Sequence, residues 1–156
     1  MVNLPFQVSP VALSSARTGT QLSATTSVND DVMASLCVLT VDDFEPWRKF
    51  VCSALQKRPH LQNILEVSDG FDAVEKAREL QPDLILLDIG LPTLNGLEAA
   101  RQIRVLSPNS KIIFLTESRD SDVAAEAFRS GARGFVVKSD AEEELLAAVD
   151  AVLNGS

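Results

Sequence analysis

The chain has 156 residues, enough for one domain with a buried core, and its 46% hydrophobic and 23% charged residues exclude wholesale disorder and a fibrous repeat. Its 22 acidic against 14 basic side chains leave a net charge of −8, which argues against direct nucleic-acid binding and against electrostatic attachment to a membrane. No run approaches the roughly 20 apolar residues that span a bilayer. Cys37 and Cys52 form neither a metal-ligand pair nor a disulfide framework, so the expectation is a soluble cytoplasmic protein with reduced core thiols.

Residues 1–34 stand apart. The first 29 carry Arg17 as their one charge, nine Ser or Thr, and no sustained apolar period, and they lack the basic start and apolar centre of a secretion signal. Composition predicts a disordered extension, and Met33 offers a second place for translation to begin. Residues 35–156 form the expected folded domain.

The first predicted strand, Leu36 to Val41, runs into the acidic pair Asp42 and Asp43. A helix follows, with Trp47, Phe50, Val51, Ala54 and Leu55 at i, i+3, i+4, i+7 and i+8, and with Pro46 suited to its first turn. This spacing places Trp47 on the buried face. His60, beside Pro59 in the next loop, is the one histidine and has no partner for catalysis in the pattern. Ile64 to Val67 makes a second strand, and Leu84 to Leu87 a third, which ends on Asp88 and turns through Gly90 and Pro92. Asn95-Gly96 offers a cap for the third helix. A fourth strand, Ile112 to Leu115, delivers Thr116, and Ser121-Asp122 suits the start of the fourth helix. The fifth strand, Phe135 to Val137, precedes Lys138; the last helix carries Leu145, Val149, Val152 and Leu153 on one face and Glu142 to Glu144 in its first turn.

Five short apolar runs alternating with helical segments read as strands buried on both faces of a parallel sheet, an α/β (βα)5 doubly wound fold with right-handed crossovers. Ligands of such sheets bind outside the carboxyl ends of the strands, where the winding reverses. Asp42, Asp43, Asp88, Thr116 and Lys138 all fall at those ends. Three carboxylates gathered there repel one another unless a cation joins them, and an all-oxygen set favours Mg²⁺ or Mn²⁺. The backbone carbonyl of Gly90 could add a ligand, Lys138 a fixed positive charge and Thr116 a hydroxyl donor. Two chemistries use such a set: attack by Asp88 on phosphorus to give an aspartyl phosphate, or metal-dependent hydrolysis of a phosphate ester. Hydrolysis would need a positioned base, which His60 does not supply, so the acyl phosphate leads.

The segments "VLTVDDFEPWR", "PDLILLDIGLPTLNG", "KIIFLTES" and "SGARGFVVK", in that order, resemble the receiver domain of two-component response regulators from Leu36 to about Gly155. The resemblance implies the flavodoxin-like strand order 2-1-3-4-5, a phosphoryl acceptor at Asp88, and Mg²⁺ held by Asp43, Asp88 and the Gly90 carbonyl, with Asp42 acting through water. It further implies that the Thr116 hydroxyl and the Lys138 ammonium meet the phosphoryl oxygens and that Phe135 packs inward as Thr116 moves. The partners it implies are a histidine kinase or phosphotransfer protein, and a homodimer through the fourth-helix to fifth-helix face. Two positions depart from the family pattern. Glu117 stands where a small residue is usual, which implies hindered approach of the phosphoryl donor. Ser139 stands where a proline after a cis bond is common, which favours a trans bond. The final helix, "ELLAAVDAVLNG", resembles that of receivers that precede a helix-turn-helix domain.

Competing classes fit less well. A flavodoxin-type cofactor binder needs a Ser/Thr/Gly-rich loop where this chain has "DDFEPWRK", and a dehalogenase-type phosphohydrolase needs Asp-x-Asp where it has Asp88-Ile89-Gly90. A receiver-like docking module that is never phosphorylated usually lacks one of the acids or the lysine, and all are present.

Overall fold

The computed structural model describes residues 35–155, which place the disordered extension expected over 1–34 outside the described residues. Five strands alternate with five helices: β1 (Cys37–Val41), α1 (Glu45–Leu55), β2 (Asn63–Val67), α2 (Gly70–Leu80), β3 (Leu84–Asp88), α3 (Gly96–Leu106), β4 (Lys111–Thr116), α4 (Ser121–Arg129), β5 (Gly134–Val137) and α5 (Ala141–Leu153). Short turns of tighter helix cover Pro59–Leu61 and Lys138–Asp140. All pairings are parallel and the order is β2-β1-β3-β4-β5, as the resemblance implies.

Side-chain alternation along each strand divides the core in two. Leu39, Val41, Ile85, Leu87, Ile112 and Phe114 pack with Ala73, Ala77, Ala99, Ala100 and Ile103 under α2 and α3, and with Ala127 of α4. Val38, Leu84, Leu86, Ile113 and Leu115 point the other way, against Val51 and Leu55 of α1 and Leu145, Val149 and Val152 of α5. Every residue of β3 is buried, as expected of a strand covered on both faces.

The expectation of strands buried on both faces fails at the two edges. β2 alternates between exposed and covered residues, with Leu65 37% exposed, and β5 is only half-buried. Each has a neighbour on one side only, and the flanking helices do not reach fully over it. The cysteines are free, as expected, but half-buried rather than core residues, with burial pushing both thiols up. Helix starts also refine the reading. Asn95 caps α3, its side chain accepting from the Glu98 N–H. Asp120, one residue before the expected cap, accepts from the Asp122 N–H at α4. Phe44, at the N-cap of α1, offers no side-chain cap, and Pro46 sits in the helix's first turn.

Candidate functional site

Register places the polar residues side by side. Val41 pairs with Leu87, so the next residues, Asp42 and Asp88, leave adjacent strands at the same level. Thr116 pairs with Val137, so Lys138 leaves β5 one residue beyond Thr116. These ends line a crevice of about 400 Å³ together with Asp43, Gly90, Glu117 and Ser118. The crevice sits at the switch point between β1 and β3, where the chain turns from one edge of the sheet to the other.

Close backbone approach fixes the carboxyl end of β3. The start of α3 lies directly against the end of β3: a Cβ on Gly96 would stand 2.1 Å from the Asp88 carbonyl oxygen, so only glycine fits. The Gly96 N–H donates to the Ile89 carbonyl at 2.9 Å, closing the turn after Asp88.

Asp42 is fully buried and Asp88 nearly so, whereas Asp43 faces solvent. One Asp42 oxygen accepts from the Phe44 N–H at 2.9 Å and the other from Lys138 Nζ at 2.5 Å; the same ammonium lies 3.6 Å from Asp88 Oδ1. Asp88 is pushed above the usual carboxylate range by burial first, then by the charge of Asp42, with Asp43 adding to it; Lys138 and the Gly90 N–H oppose the shift. The Thr116 oxygen accepts from the Ser118 N–H at 3.2 Å, which leaves the hydroxyl proton free to be donated into the crevice. The Lys138–Ser139 bond is trans.

One oxygen from each of Asp42, Asp43 and Asp88 falls within 4.8 Å of the others. Three clustered carboxylates, two of them within reach of the one ammonium, leave an excess of negative charge on hard oxygen donors, and that donor set fits a small divalent cation such as Mg²⁺.

Three further residues shape the crevice. Arg48 donates from Nη1 to the Asp42 carbonyl at 2.7 Å and pairs with Glu66 at 3.1 Å, tying α1 and β2 to the acidic loop. Arg119 reaches Asp140 at 2.9 Å and Ser139 at 3.0 Å, linking the loop after Thr116 to the turn after Lys138. Trp47 packs beside the α1–α5 core as expected, yet its ring also lies 5.0 Å from Lys138 Nζ. Helical period identifies Trp47 and Arg48 as neighbours on α1 but cannot say that this turn borders the crevice. His60 sits in the turn before β2 and lines no part of it.

A parallel α/β fold with an acid-lined crevice and one lysine at its switch point can accommodate a cation or a phosphoryl group. The profile of the response regulator receiver domain matches residues 38–150. The transcriptional regulatory protein LnrK of Bacillus subtilis is 36% identical over 118 residues, 76% of this chain and 54% of that protein. Among solved structures, a LuxR-family two-component response regulator from Aurantimonas is 32% identical with a TM-score of 0.72, over 78% of this chain and 86% of that one. The CheX–CheY–BeF3–Mg²⁺ complex from Borrelia burgdorferi is 25% identical with a TM-score of 0.71, over 80% of this chain and 93% of that one. The chain belongs to the response regulator receiver domains of two-component systems, a family of signalling switches. It spans about half the length of LnrK and of other curated transcriptional regulators that it matches. Among the described residues no helix is long and apolar enough to cross a membrane.

Proposed function

We propose that this receiver accepts a phosphoryl group on Asp88 from the phosphohistidine of a kinase or phosphotransfer protein. The observation that carries the reading is the placement of Asp88 beside buried Asp42 and within 3.6 Å of the Lys138 ammonium at a switch point. An Asp88 oxygen attacks phosphorus as the bond to the donor imidazole breaks; the imidazole nitrogen keeps the electron pair and takes up a proton. Lys138 and the Thr116 hydroxyl then meet the phosphoryl oxygens. Asp43, Asp88 and the Gly90 carbonyl would hold Mg²⁺, with Asp42 through water, and the bound ion would neutralise charge on the transferring group. Attack of water on the same phosphorus returns the carboxylate and releases phosphate.

Recruitment of Thr116 to a phosphoryl group gives up its bond from Ser118, and Phe135, half-buried beside the α2–α4 core, fills the space left behind. The readout is the face formed by α4, β5 and α5, through which the phosphorylated chain pairs with a second copy or a target in the cytoplasm. Relatives such as LnrK are transcriptional regulators, so control of transcription through a joined DNA-binding domain is the leading output.

Intact mass after treatment with acetyl phosphate, with and without Mg²⁺, for the natural chain and Asp88→Ala, tests the assignment. Addition of one phosphoryl group that requires both Mg²⁺ and Asp88 is expected. A second reading, a docking module that is never phosphorylated, draws on exposed Glu117 at the mouth of the crevice. An unmodified chain with Mg²⁺ shown to bind would favour it.

A further inference from the structure

Helical spacing gives Trp47 to the core, and that role alone would be served by any large apolar side chain. Its surroundings ask for more. The ring packs against Phe50, with centroids 4.9 Å apart and planes tilted by 32°, and presents a face to Lys138, whose Nζ lies 5.0 Å from the centroid. The indole Nε1 is buried and has no hydrogen-bond partner among the described residues. A phenyl ring would provide much of the same apolar packing without stranding a donor. What indole adds is the most electron-rich face of any side chain, and a cation above it is held in proportion.

Lys138 needs such a hold. Its ammonium ends a flexible four-carbon stem on the short turn after β5, and it is pulled toward Asp42 at 2.5 Å and Asp88 at 3.6 Å. Contacts with carboxylates alone leave the stem free to swing with whichever acid is the more negative. The indole face supplies a third contact, from α1, that belongs to neither acid.

We infer that Trp47 is a positioning residue for Lys138, holding the ammonium within reach of a phosphoryl group on Asp88. The inference deepens the reading of Asp88 as acceptor and rests on it. As the ammonium follows the phosphoryl oxygens its contact with the indole loosens, so Trp47, the one tryptophan in the chain, reports the event in its emission.

Two measurements test it, each on the full chain. In the unphosphorylated protein the Lys138 ε-methylene protons are expected upfield of ordinary lysine positions by NMR, because the ammonium they adjoin lies over an aromatic face. That shift should be kept in part by Trp47→Phe and lost in Trp47→Leu. With acetyl phosphate and Mg²⁺, Trp47→Leu is expected to slow the maximal phosphorylation rate about tenfold, the size of a desolvated cation–π contact, and Trp47→Phe only two- to threefold, with half-saturation by the donor unchanged in both. Thermal melts correct each rate for folded fraction. Ordinary lysine shifts in the natural chain, or equal corrected rates for the two variants, would overturn the positioning role. A natural chain that takes up no phosphoryl group overturns the reading of Asp88 instead, and the NMR arm then decides the indole on its own.

Discussion

Asp88 shows the conflict between stability and chemistry most directly. Its raised pKa means that the folded chain holds the proton more tightly than the unfolded one. Between the ordinary carboxylate value and the raised one, the folded state binds more protons, so stability falls as pH rises through that window and stays lowered above it. Asp88→Asn removes the buried charge and should stabilise the metal-free domain at pH 7 by about 1–2 kcal/mol, with the gain vanishing in acid. Urea melts of both proteins between pH 3 and pH 8 check this; equal stability at every pH would count against the burial argument. Glu117 is the other informative acid. It lines the crevice and brings a fourth carboxylate to a donor that is itself anionic. Glu117→Ala should speed phosphorylation by acetyl phosphate by roughly three- to tenfold at low ionic strength and by less at high salt. The order of Asp42, Asp43, Asp88, Thr116 and Lys138 at successive strand ends made their gathering in one crevice legible from sequence, although each residue alone serves as readily in a turn or cap, as Asp42 and Thr116 also do here. Trp47 and Arg48 were not legible as neighbours of the crevice. Periodicity shows which face of α1 is covered but not what lies at its end.

Among the elements, β3 and α3 set the position of Asp88, and they do so through backbone rather than side chains. The turn from Asp88 to Gly96 is tight enough that a single methyl group meets the Asp88 carbonyl. Gly96→Ala should therefore cost about 2–4 kcal/mol and displace Asp88 from Lys138, a loss larger than ordinary glycine substitutions in helices bring. Asn95→Ala, one residue earlier, removes only the cap on the Glu98 N–H and should cost about 1 kcal/mol with phosphorylation left intact. Chemical denaturation paired with the acetyl phosphate assay separates the two outcomes. The strands themselves were legible to within a residue at each end, since a buried parallel strand is a short apolar run between turns. Exposure of β2 and β5 was not, because a run such as Ile64 to Val67 has the same composition at an edge as in the centre. Position in the sheet depends on pairing with distant strands, which no local window contains.

At the scale of the whole molecule, two cores share one sheet, and β3 is buried in both. Leu86→Ala on one face and Leu87→Ala on the other should each cost about 2–5 kcal/mol. Residues 35–156 alone should unfold in a single urea transition, because no layer of the core can be lost without exposing the central strand. Separate transitions by tryptophan emission and by circular dichroism would contradict that coupling. The last turn of α5 is pinned at the far end of the sheet, where Lys111 Nζ, at the beginning of β4, donates to the Val152 carbonyl at 3.2 Å. The crevice lies a strand's length away, at the other end of β4. For anyone building sensors, that separation is an attachment rule. A fluorophore or surface tether fixed after α5 leaves the approach of a phosphodonor clear, and the immobilised switch should run at the speed of the free one.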